Sequence, residues 1–116
     1  MWTRFALIAL AGALGSLCRY GLSSWTQRWL GEPFPWGTLA VNVAGSFLFG
    51  LVWSVGEART WLTPELRVVV LVGFMGAFTT FSSFAFDNYR LLAEHSVGLA
   101  VLNIASQNVT GLLAVA

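Results

Sequence analysis

"GFMGAFTTFSSF", residues 73 to 84, lies inside an uncharged run from Val68 to Phe86 that is long enough to approach the thickness of a bilayer. It also carries Gly73 and Gly76 and the hydroxyls of Thr79, Thr80, Ser82 and Ser83. Flexible backbone and hydroxyls at mid-membrane admit two readings. Either the span is broken near its centre, or it is an unbroken helix whose Ser and Thr side chains bond back to their own carbonyls. A break requires burial in protein or a cavity to line, and broken helices commonly aim carbonyls at cations and amide ends at anions.

Working outward, the chain has 116 residues, 57% of them hydrophobic and 9% charged, with a mean hydropathy of +0.74. Soluble domains carry about 25% charged residues, so this is an all-α integral membrane protein. Uncharged runs also extend over Phe5 to Cys18, Pro33 to Gly56 and Ser96 to Ala116. Four helices are expected, at about 4–25, 36–57, 64–92 and 96–116, forming a single transmembrane domain 1–116. "GEPFP" (31–35) reads as the first turn. "ARTWLTPE" (58–65) reads as the second connection, with Thr63 as N-cap and Pro64 in the first turn. Trp2, Trp25, Trp29, Trp36, Trp53 and Trp61 fall near the span ends, where amphipathic rings anchor.

A cleaved secretory signal is the rival reading of the first segment, because Arg4 precedes an apolar run. The return of apolar character from Tyr20 to Trp25 argues against cleavage. Cys18 and His95 are single, which leaves no Cys/His metal cluster and no intramolecular disulfide. The net charge is +1 with no lysine and six scattered arginines, so nothing resembles a nucleic-acid-binding patch.

The arginines also bear on orientation. Arg4, Arg59 and Arg67 fall on the side of the N-terminus, and Arg19, Arg28 and Arg90 toward the other. Lys/Arg asymmetry sets topology, so a tie reads either as insertion both ways round or as the small numbers of a short chain. Small residues four apart recur at Ala11/Gly15, Gly12/Ser16, Ala40/Ala44 and Gly73/Ala77, a spacing that permits close helix packing between subunits or within one.

Polar residues inside the spans are the functional candidates. Thr38, Asn42 and Ser46 share one face of the second helix, and Asn103, Ser106, Gln107 and Thr110 a face of the fourth. These stripes either satisfy each other or line a groove; their concentration together with the suspected break favours the groove. Phe81 and Phe84 share a face with the hydroxyls between them. A phenyl ring has a positive edge, so rings edge-on beside amide and hydroxyl donors can coordinate a small anion without trapping it. Arg19 and Asp87 lie near one membrane face, either paired or with Arg19 drawing anions into a vestibule.

These residues resemble the small four-helix Fluc (CrcB) fluoride channels. The likeness runs through "GALGSLCRY" (12–20), "PWGTLAVNVAGSFLFG" (35–50), "GFMGAFTTFSSF" (73–84) and, more weakly, "LNIASQNVTG" (102–111). It implies passive fluoride export through an antiparallel dual-topology homodimer with two pores in a bacterial inner membrane. It assigns the pore to Asn42, Phe81 and Phe84 with the hydroxyls of Thr80 and Ser83. It also implies a structural sodium ion at the dimer centre, held by the backbone carbonyls of Gly76 and Thr79. Ala77, Ser83 and Asp87 depart from the commoner glycine, threonine and glutamate, and Asn103 and Gln107 stand where tyrosine and serine often form a polar track. No covalent step is needed, so no enzyme is expected. A small multidrug transporter has similar size but needs a carboxylate in its first helix, and Phe5 to Trp25 has none. A non-transporting membrane subunit is the other alternative.

Overall fold

A computed structural model describes residues 1–59 and 62–116; Trp61, one of the expected anchors, lies outside them. Among the described residues, four helical spans are long and apolar enough to cross a membrane: Trp2–Leu30, Trp36–Ala58, Pro64–Ala93 and Val97–Val115. The first and second are continuous helices α1 and α2. The third comprises α3 (Pro64–Val68), a π-helical stretch Val69–Met75, α4 (Gly76–Phe78) and α5 (Phe81–Ala93), and the fourth is α6 (Val97–Val115). α1 is longer than the expected 4–25. Its 29 residues span about 44 Å at 1.5 Å per residue, more than the hydrocarbon core, with Trp2 in its first turn and Trp25 and Trp29 near its end.

Local chemistry sets the ends. α1 stops at Gly31, whose φ of 79° suits a residue without a Cβ. Gln27 then holds the turn: its Nε2 donates to the carbonyls of Gly31 and Phe34, both at 2.9 Å, and its Oε1 accepts from the Gly37 N–H at 3.0 Å. At the start of α3, Thr63 Oγ1 accepts from the Leu66 N–H at 3.2 Å, with Pro64 in the first turn. The core is small. Val41, Leu71, Met75 and Phe78 are buried, and Leu22, Ala44, Leu48, Val52 and Phe74 pack around them.

Most of the small-residue pairs are occupied within this one chain. A Cβ on Gly15 would collide with the Phe74 carbonyl oxygen, one on Gly73 would lie 2.9 Å from the Ala11 Cβ, and Gly12 faces the Gly73 carbonyl. α1 therefore crosses the third span backbone to backbone, as small residues allow in lipid. Gly37 meets Ser23 where α1 and α2 cross, and Gly45 meets Thr79. The Gly15, Gly12 and Gly73 positions thus serve packing within the chain.

Candidate functional site

Between α4 and α5 the backbone of Thr79 (φ −90°, ψ 159°) and Thr80 (φ −150°, ψ 119°) is extended. The Thr79 N–H still reaches the Met75 carbonyl at 3.0 Å, but Thr80 has left the helical register, and in an apolar surrounding every backbone group needs a partner. Asn42 supplies both for Thr80. Its Oδ1 accepts the Thr80 N–H at 2.8 Å, and its Nδ2 donates to the Thr80 carbonyl at 3.0 Å. The side chain thus pairs with Thr80 as a neighbouring β-strand would. Thr80 Oγ1 accepts from the Ser83 N–H at 3.2 Å, which caps α5, and donates to Ser83 Oγ at 3.2 Å.

These substitutions leave a pattern in the carbonyls. In a continuous helix the Gly76 carbonyl would receive the Thr80 N–H, and the Thr79 carbonyl the Ser83 N–H; both donors go to side chains instead. The Ala77 carbonyl receives Arg19 Nε at 2.9 Å. That bond puts Arg19 beside the middle of α1 and of the third span, and not near a membrane face as expected. Arg19 is not paired with Asp87, because its guanidinium is drawn to a carbonyl lacking a helical donor. Asp87 instead accepts from Thr38 Oγ1 at 2.8 Å and lies 3.8 Å from Arg90 Nη2, while Arg90 also meets Glu32 at 3.1 Å. These residues border a polar recess of about 530 Å³ that also includes Ser23, Ser24 and Gln27.

Beside the Asn42–Thr80 pair opens a groove of about 350 Å³, lined by Asn42, Ser46, Thr79, Thr80, Phe81, Phe84, Gln107 and Asn108 among others. Phe81 is 77% exposed, and its ring lies 5.7 Å from that of Phe84 at 52°, a tilted pair bordering the groove. The two polar stripes both meet and line a cavity. Asn42 Nδ2 donates to Gln107 Oε1 at 3.0 Å, and both side chains border the groove.

Not every polar residue of the fourth span reaches it. Ser106 Oγ and Thr110 Oγ1 bond back to carbonyls of their own helix. Asn103 is fully buried behind Gln107, donating to Asn88 Oδ1 at 2.8 Å. A shared polar track for Asn103 and Gln107 is thus reduced to Gln107 at the groove. Neither Asn88 nor Gln27 is among the residues singled out from the sequence; Asn88 stands between Asp87 and Arg90, so its sequence reads as a polar span end and does not signal its burial against Asn103.

Four apolar spans around a polar groove define an integral, multi-pass membrane protein. The chain belongs to the family described as CrcB-like protein, Camphor Resistance (CrcB), whose model matches residues 6–116. It is 50% identical over 115 residues to a protein of Nitrosococcus oceani, covering 99% of this chain and 92% of that one. It is 49% identical over 114 residues to one of Solidesulfovibrio magneticus, covering 98% and 91%. A protein of Nitratidesulfovibrio vulgaris is 56% identical over 89 residues, covering 77% of this chain and 72% of that one. Each of these relatives is named fluoride-specific ion channel FluC.

Proposed function

We propose that this protein is a fluoride-selective ion channel, conducting fluoride passively across a bacterial inner membrane and so lowering its cytoplasmic concentration. The observation that carries the reading is the groove itself. It brings the Asn42 amide, Thr80 and the rings of Phe81 and Phe84 to one place, with Ser83 held behind the lining by its bond to Thr80 Oγ1, in a chain whose relatives carry that name. Weak neutral donors in succession replace hydration water without holding the ion, as permeation requires. A fixed charge there would trap it. Arg19, seated on the Ala77 carbonyl beside the break, adds a positive charge that raises the local anion concentration. Conduction makes and breaks no covalent bond, so no residue is assigned a catalytic role.

Two copies in opposite orientation complete the channel, each contributing one groove. The three-to-three arginine count and the open side of the groove, where Phe81 is exposed, support this pairing. Thr79 and Thr80 form the break of the third span. The Gly76 and Thr79 carbonyls, whose helical donors are directed to side chains, are suited to a sodium ion shared by both copies at the dimer centre. Such an ion would fix the two breaks against each other.

The test is fluoride release from liposomes holding the purified protein, with Phe81→Ile as the perturbation. Release that is fast in the unmutated protein and at least tenfold slower in Phe81→Ile is expected. Fast release unaffected by the change removes Phe81 from the path, and no release from the unmutated protein overturns the function.

A further inference from the structure

Asn42, Gln107, Asn103 and Asn88 form a chain of carboxamides whose direction is set at one end. The Thr80 backbone N–H can only donate, so the atom it meets on Asn42 is Oδ1. Nδ2 of Asn42 therefore faces Gln107, which must present Oε1 at 3.0 Å. Gln107 Nε2 is then left to donate to Asn103 Oδ1 at 3.4 Å, and Asn103 Nδ2 to Asn88 Oδ1 at 2.8 Å. Each amide accepts on one side and donates on the other, and the fully buried Asn103 leaves no room for water to substitute. Both N–H groups of Asn42 are occupied, one by the Thr80 carbonyl and one by Gln107 Oε1.

Resting on the reading of the groove as a fluoride path, we propose that Gln107 is the acceptor that a passing anion displaces from Asn42, and that Asn103 is the positioning residue that keeps Gln107 in that role. With Nε2 held by Asn103, Gln107 can only accept from Asn42. Its oxygen stands in for the anion between passages and takes the N–H back afterwards. The exchange keeps the Asn42 donor from remaining bare, which would bind the anion too firmly for rapid release.

The experiment measures fluoride release from liposomes as a function of fluoride concentration, separating the half-saturating concentration from the maximal rate. Gln107→Met keeps the length of the side chain and removes the carboxamide. The half-saturating concentration is expected to fall by about fivefold, the worth of one neutral hydrogen bond, with a lower maximal rate. Gln107→Glu sets a negative charge in the groove and is expected to abolish release, as Asn42→Asp does, so the neutral Gln107→Met carries the test. Asn103→Leu is expected to shift the unmutated protein but add nothing to Gln107→Met, because Asn103 acts through Gln107. Should Asn103→Leu fail to fold, Asn103→Asp, whose acid form keeps one acceptor and one donor, is expected to behave as the unmutated protein. Unchanged half-saturation in Gln107→Met, or equal and additive effects of the two changes, overturns the proposal while the channel reading stands. An unmutated protein that releases no fluoride overturns the channel reading instead.

Discussion

Replacing Asn42 by leucine removes three hydrogen bonds of 2.8–3.0 Å and leaves the Thr80 N–H and carbonyl without their partner in an apolar surrounding. Each unpaired backbone group costs about 1–3 kcal/mol. The lost bond to Gln107 adds about 0.6 kcal/mol, the average for polar contacts between helices in a membrane. Together these predict a loss of about 3–7 kcal/mol, a large share of a stability that is about 5–15 kcal/mol for a whole domain. Asn42→Asp separates structure from conduction. Its carboxylate still accepts the Thr80 N–H but sets an oxygen against the Thr80 carbonyl and Gln107 Oε1, and it places a negative charge in the anion path. Unfolding of detergent-solubilised protein by titrated denaturant reads stability, and fluoride release from liposomes reads conduction. Leucine is expected to lower both. Aspartate is expected to abolish release even in the fraction that remains folded. An Asn42→Leu protein with an unchanged unfolding midpoint would refute the pairing of Asn42 with Thr80, and a conducting Asn42→Asp would refute its place in the path.

Other expectations follow from single contacts. Gly15→Ala forces a methyl onto the Phe74 carbonyl and should destabilise by about 1–3 kcal/mol, read as a lower melting temperature in detergent; an unchanged value would mean that the crossing is looser than described. Gln27→Leu deletes three bonds in the first turn and should cost about 2–4 kcal/mol in the same measurement, with fluoride selectivity preserved in the folded fraction. Arg19→Leu strips the Ala77 carbonyl of its donor and lowers the positive charge nearby. Both stability and the rate of fluoride release should fall, read by unfolding in detergent and by release from liposomes; a rate that is unchanged in the folded fraction would mean that the Arg19 charge does not act on the ion.

Hydropathy made the four spans legible, because lipid admits few architectures and an uncharged run of the right length has one use. Thr63 and Pro64 signalled the start of α3 through chemistry confined to four residues. The stripe of Thr38, Asn42 and Ser46 was legible as a face, but its partners were not. Thr38 turns to Asp87, Asn42 to Thr80 and Gln107, and Ser46 to the groove, and those choices depend on how α5 and α6 are placed. Arg19 shows the same limit. Pairing it with Asp87 is reasonable electrostatics, yet a carbonyl without its helical donor lay closer, and nothing local to Arg19 encodes that. The small-residue pairs were visible as a spacing, but whether they serve one chain or two is a tertiary property; the Gly15–Phe74 approach shows that Gly15 serves packing within one. Gln27 gave no sequence signal, since its three partners are backbone groups brought near by the turn.

The central claim is that the groove passes fluoride and excludes larger halides. The reversal potential of current through the purified protein in a planar bilayer, with fluoride on one side and chloride on the other, tests it most directly. A potential set by the fluoride gradient and unmoved by chloride is expected. A potential that follows chloride, or no current under conditions where the protein is inserted, would contradict the account.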